Sequence, residues 1–138
     1  MLGLLDRFRK QKKEEKNTDI EHTKIITELE QLCGDDKETY EALLNTMFLD
    51  PRKSGTSMKE AAENAKKYEK AKDLVKARMW YEIAGGLAIY EGNVKKVLEF
   101  FSEIEKISLD TKYTILKNPE KAVAKAQEYY KQYLESKP

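Results

Sequence analysis

Apolar residues return along this chain every three or four positions, and nowhere alternate with polar ones for long enough to make a strand. Thr18 or Asp19 caps a first helix running to Cys33, with Ile20, Ile25, Ile26, Leu29 and Leu32 near the helical period. Gly34 follows where a C-terminal glycine belongs. Asp35 or Asp36 opens a second helix whose inward positions are Tyr40, Leu43, Leu44, Met47 and Phe48, and Asp50-Pro51 stops it. Residues 50–57 form the clearest loop. Ser57 with Glu60 reads as a capping box for a third helix bearing Ala61, Ala62, Ala65, Tyr68 and Ala71. A break at Lys72-Asp73 leads to the most apolar stretch, residues 74–90. There Leu74, Ala77, Trp80, Tyr81, Ile83, Ala84, Leu87, Ala88 and Ile89 cover most of the helix circumference, which puts this helix at the centre of the fold. Gly92-Asn93 turns the chain into a helix carrying Val94, Val97, Leu98, Phe101, Ile104 and Ile107. Asp110 caps a short helix to Lys117. Asn118-Pro119, a cap followed by proline at the first helical position, opens the last helix, through Tyr129, Tyr130 and Tyr133 to about Ser136. The expectation is an all-α fold of six or seven helices, an antiparallel bundle or a short superhelix.

Composition narrows the function classes more than it names one. The chain has 138 residues, 40% hydrophobic and 37% charged, so most of its helices must be amphipathic. Twenty-six basic and 25 acidic residues leave a net charge of +1, which by itself selects no partner. One cysteine excludes an intramolecular disulfide and a cysteine-built zinc site, and one histidine excludes most metalloenzyme and triad arrangements. No apolar run approaches the length of a membrane span, and residues 1–5 are too short for a signal-peptide core, so the expected compartment is the cytoplasm. No cofactor is implied.

Charge is nevertheless placed unevenly. Residues 1–17 form a basic arm with a local balance of +3, set apart from a single all-α domain over residues 18–138. In the arm Met1, Leu4, Leu5 and Phe8 make a short apolar face beside Arg7, Arg9, Lys10, Lys12 and Lys13. Such a segment is a solvated tail, a weak and salt-sensitive contact with an anionic membrane, or a piece that docks on a partner. Residues 19–50 hold nine acidic and two basic residues; residues 59–78 hold seven basic and four acidic. These are two partner surfaces of opposite sign, mutual attraction within the fold, or plain solvated faces.

Two segments repeat one another. Residues 68–84 read YEKAKDLVKARMWYEIA and residues 88–104 read AIYEGNVKKVLEFFSEI; each is helix, two-residue turn, then small, aromatic, small at spacings of four and three. Ala77, Tyr81 and Ala84 match Val97, Phe101 and Ile104. This resembles the tetratricopeptide-repeat pattern over about residues 59–109. Tyr68, Ala77 and Tyr81 take the tyrosine, alanine and aromatic places in one window. Tyr81, Gly85 and Phe101 take the tryptophan, glycine and aromatic places in the next. Ala65 stands where glycine is usual, Ile89 and Leu109 replace the closing proline, and the windows are offset by 20 residues, so the 74–90 helix serves both units. The resemblance implies stacked antiparallel helices and a groove that binds a protein or peptide. Its walls would come from the 59–71 helix and the outward side of the 74–90 helix, with Lys59, Lys66, Glu69, Met79, Glu82 and Gly86 as contact residues.

Candidates for chemistry are thin. His22 and Cys33 are eleven residues apart, about 16 Å along a helix, too far for a nucleophile–base pair, and Cys33 reads as a small packing residue. The carboxylate pairs Asp35-Asp36, Glu14-Glu15 and Glu103 with Glu105 fall on exposed patterns, the first at a helix start where negative charge suits the dipole. Gly85-Gly86 lacks the Lys-Ser/Thr of a phosphate loop; it marks the close approach of another helix or a smooth floor for a peptide. Trp80 reads as core. The tyrosines at 129, 130 and 133 span more than one helix face, so one of them should be exposed. With the groove that the resemblance implies, the expectation is a non-enzymatic adaptor for a protein or peptide. The alternative is nucleic-acid binding by the lysine-rich 59–78 face (Lys59, Lys66, Lys67, Lys70, Lys72, Lys76) with the basic arm, although Glu60, Glu63 and Glu69 dilute its potential.

Overall fold

The computed structural model describes residues 23–46 and 55–135, and these residues are all-α, with six α-helices and no strand among them. The basic arm, His22, Met47, Phe48 and most of the 50–57 loop lie outside the described residues. The chain divides into two units, Met1–Gly34 and Asp35–Pro138. In the first, α1 occupies residues 23–33, with Leu29 and Cys33 buried. It ends as anticipated: Gly34 takes a left-handed φ of 58° and its N–H reaches back to the Glu30 carbonyl at 3.0 Å.

In the second unit the caps read at Asp36, Ser57, Asn93 and Asn118 form, and the one read at Asp110 does not. The Asp36 carboxylate opens α2 (Lys37–Leu44) by accepting from the Thr39 N–H. Ser57 Oγ accepts from the Glu60 N–H to start α3 (Met58–Lys70). Asp73 starts α4 (Leu74–Glu91), Asn93 starts α5 (Val94–Ile107), and Asn118 with Pro119 starts α6 (Pro119–Tyr129). Each satisfies one of the amide donors that a helix start leaves open. Three boundaries differ from expectation. The second helix stops at Leu44, where the Thr46 amide and hydroxyl both bond to the Leu43 carbonyl and tighten the last turn; Leu44 is exposed rather than inward. The short helix expected from Asp110 is a 3-10 turn over Thr114–Lys117: Asp110 lies in a turn closed by the Thr111 N–H on the Ser108 carbonyl, and Tyr113, its N–H tied to Glu105, has extended backbone. The last helix widens into a π-helix over Tyr130–Glu135.

α3, α4 and α5 stack in antiparallel succession. The contact face of α3 is alanine, with Ala61 and Ala65 fully buried, so its backbone lies close to α4. The central position of α4 holds for its second half alone. Residues 84–89 are all buried, since α6 joins α3 and α5 around them, whereas Val75 is 82% exposed, Leu74 and Met79 are exposed, and Trp80 is half-buried rather than core. A Cβ at Gly85 would sit 2.7 Å from Cζ of the fully buried Phe101, so the ring of α5 occupies the space a side chain would need. The far end of α4 is closed by Gln127 of α6, whose side-chain amide donates to the carbonyls of Ile89 (2.6 Å) and Tyr90 (2.7 Å). The π-turn rotates Tyr129 and Tyr130 together into the interior; Tyr130 meets Tyr90 edge-on at 4.8 Å between ring centroids, and Tyr133 is half-buried. None of the three is exposed, contrary to the α-helical wheel.

Candidate functional site

α3 and α5 flank α4 without extended contact between themselves, and this leaves an open cleft of about 370 Å³. Its floor is the buried Tyr81 of α4, whose hydroxyl donates to Glu69 Oε1 at 2.6 Å. One wall is Lys66 and Lys70 of α3; the other is Glu99 and Glu103 of α5. The residues of each wall are four apart, hence one above the other on a helix. No ion pair joins the two walls. Glu99 and Glu103 pair instead with Lys96 (2.9 Å) and Lys106 (3.1 Å) on their own helix, while Lys66 and Lys70 have no ion-pair partner among the described residues. Burial, the Glu69 hydrogen bond and the charges of Glu103 and Glu99 together hold the Tyr81 phenol above its ordinary range, so it stays a neutral donor.

A second polar cluster sits elsewhere on α4. Glu82 Oε1 accepts from Arg78 Nε and from the Tyr113 hydroxyl, both at 3.0 Å, and Arg78 Nη1 donates to Ser108 Oγ at 3.1 Å. Burial first, then Glu82, pushes Tyr113 up to about 12. Ser108 contacts a guanidinium and the Thr111 hydroxyl. Neither is a general base, so the cluster is a tie between helices rather than an activated nucleophile. A smaller space of about 230 Å³ lies beside Glu82, Phe101, Tyr113, Asn45 and Thr46.

Of the six residues expected to line a groove, Lys66 and Glu69 meet at the cleft. Lys59 is exposed farther along α3, Met79 lies on the open side of α4, and Glu82 belongs to the Arg78–Tyr113 tie. Gly86 is buried, so it offers no outward floor. The second wall is therefore α5, not the outward side of α4. Lys70, Tyr81 and Glu103, named above in other roles, were not assigned to the groove, and Glu99 was missed. Their signal was present in the sequence: Glu99 and Glu103 are spaced by one turn and fall off the apolar stripe of Val97, Phe101 and Ile104. Of the carboxylates named earlier, Asp36 is a cap bonded to Lys121 at 2.9 Å, Glu105 accepts from the Tyr113 N–H, and Glu14-Glu15 lie outside the described residues. No cluster of three His, Cys, Asp or Glu side chains suited to a metal ion occurs among the described residues, and none of their helices is long and apolar enough to cross a membrane. No protein-family model matches the chain, and no curated protein or solved structure is significantly similar to it.

Proposed function

We propose that this protein is a non-enzymatic interaction module, tetratricopeptide-like in the stacking of α3, α4 and α5, whose cleft receives a segment of another protein. The carrying observation is the cleft itself: two walls of opposite charge that do not pair with each other, above the Tyr81 floor whose hydroxyl is engaged by Glu69. Charged walls left apart in solvent give specificity and steering to an incoming chain. Full burial of Ala65, Ala77 and Ala84 supports the repeat-like stacking. The module acts in the cytoplasm, a compartment that suits a single buried thiol.

The test is selection of a displayed random-peptide library on the full chain, followed by fluorescence anisotropy of the enriched peptides. Reversing the basic wall (Lys66→Glu with Lys70→Glu) weakens their binding, whereas Lys117→Glu, exposed on the 3-10 turn, does not. Enriched peptides indifferent to the wall reversal refute the cleft as the site. Lys59, Lys66, Lys67, Lys70, Lys72 and Lys76 are all exposed, which favours nucleic acid as the second reading. A salt titration with duplex DNA or RNA separates the two, because phosphate contacts lose affinity steeply with salt.

A further inference from the structure

We propose that the end of the stack where α3 turns into α4 is a contact surface for an anionic bilayer, separate from the cleft. Apolar side chains project there. Val75, in the first turn of α4, and Leu109, just past α5, are each 82% exposed, and Leu74 beside Val75 is 45% exposed. The Arg78–Ser108 bond draws the end of α5 against the start of α4, which brings Leu109 to the same end as Leu74 and Val75. Side chains this bare stand clear of the protein surface, and none of the three lines either cleft. A peptide needs a groove to cover such groups; a bilayer closes around them without one.

Charge selects the kind of bilayer. Lys66, Lys67 and Lys70 of α3 and Lys72 of the turn have no ion-pair partner among the described residues. Of the acidic side chains at this end, Glu69 is held by the Tyr81 hydroxyl, Asp73 by the Lys76 amide and Glu105 by the Tyr113 amide; Asp110 has no such bond among the described residues. Lys72 bears a further mark. Its φ of 60° is left-handed, and its turn has the same form as the one at Gly92, where φ is 73°. The Asp73 N–H reaches the Tyr68 carbonyl at 2.9 Å, as the Asn93 N–H reaches that of Ala88 at 2.9 Å. Glycine meets this geometry without strain. A lysine in its place puts a cation at the apex of the stack, beside Leu74 and Val75. The apolar groups are too few to hold a bilayer alone, and the lysines supply the second attraction through anionic headgroups.

The test is sedimentation of the full chain with vesicles of equal parts phosphatidylserine and phosphatidylcholine, against phosphatidylcholine alone. The anionic vesicles bind about tenfold or more tightly, and raising the salt releases the protein. Val75→Ser with Leu109→Ser weakens binding about tenfold, with circular dichroism confirming the fold. Lys72→Gly also binds more weakly, while its urea midpoint stays at or above the parent's, so the loss is not one of folding. The basic arm is tested with Arg7→Glu and Arg9→Glu, and in that background the serine pair still weakens binding. A parent that ignores anionic vesicles overturns the proposal. So does a serine pair that binds as the parent does: loss with the lysine variant alone then makes the contact purely electrostatic, and loss with the arm variant alone makes the arm the site.

Discussion

Gly85→Ala is the sharpest test of how α4 and α5 meet. In an open helix the substitution would stabilise by about 1 kcal/mol, through reduced backbone entropy in the unfolded chain. Here the new methyl would lie 2.7 and 2.8 Å from two ring atoms of Phe101. Carbon pairs are comfortable at about 3.5–4.0 Å, so the ring must retreat by roughly 0.7–1.3 Å. It has little room. Phe101 is fully buried, with the Tyr113 ring 4.7 Å behind it, and Tyr113 is pinned by its hydroxyl to Glu82 and by its N–H to Glu105. Overpacking of this kind costs about 1–3 kcal/mol, which cancels the helix gain and leaves a net loss of up to about 2 kcal/mol. Urea unfolding followed by circular dichroism should show a lower midpoint at unchanged slope. In a Phe101→Leu background the ring is gone, and the same substitution should become neutral or stabilising. A Gly85→Ala variant more stable than the parent, or one shifted equally in both backgrounds, refutes the argument.

The Asp36 carboxyl, held down to about 2 from 3.8 by its bonds to Lys121 and Thr39, contributes stability that is present above the unfolded value and lost as pH falls through that window. Asp36→Asn keeps the cap but should flatten the acid limb of a stability-versus-pH curve between pH 4 and pH 2, and a limb as steep as the parent's would contradict the assignment. Gln127→Ala leaves the Ile89 and Tyr90 carbonyls without their donor and should cost about 1–2 kcal/mol by urea titration, while Gln127→Glu, placing negative charge at a helix C-terminus, should cost more. Tyr81→Ala should cost about 3–5 kcal/mol and half-buried Trp80→Ala clearly less; a thermal melt ranking them the other way would place Trp80 in the core after all.

Helix starts were legible because they are decided by bonds three residues long. Asp36, Ser57, Asp73, Asn93 and Asn118 each bond an amide within their own first turn, and nothing distant is needed to choose them. The glycine stop at Gly34 and the turn at Gly92 are equally local, a left-handed φ that glycine adopts without strain. Helical class and the apolar stripe of α5 follow from periodicity alone.

What periodicity cannot say is which neighbours a face meets. All of α4 is apolar enough to be buried, yet Val75 and Met79 are left in solvent because α6 reaches only the far half of the helix. Tyr129 and Tyr130 are one residue apart and both inside, because a π-turn and the Tyr90 ring redirect them, and neither is written in a 3.6-residue pattern. Glu82 looked like a groove residue until Tyr113, 31 positions later, closed on it. The cleft is of the same kind. Lys66 and Lys70 on one helix and Glu99 and Glu103 on another come to line one cleft only because both helices pack against α4. Local bonds set where each helix begins; the packing of helices distant in sequence decides which charged rows line a common cleft, because it alone fixes their separation and direction.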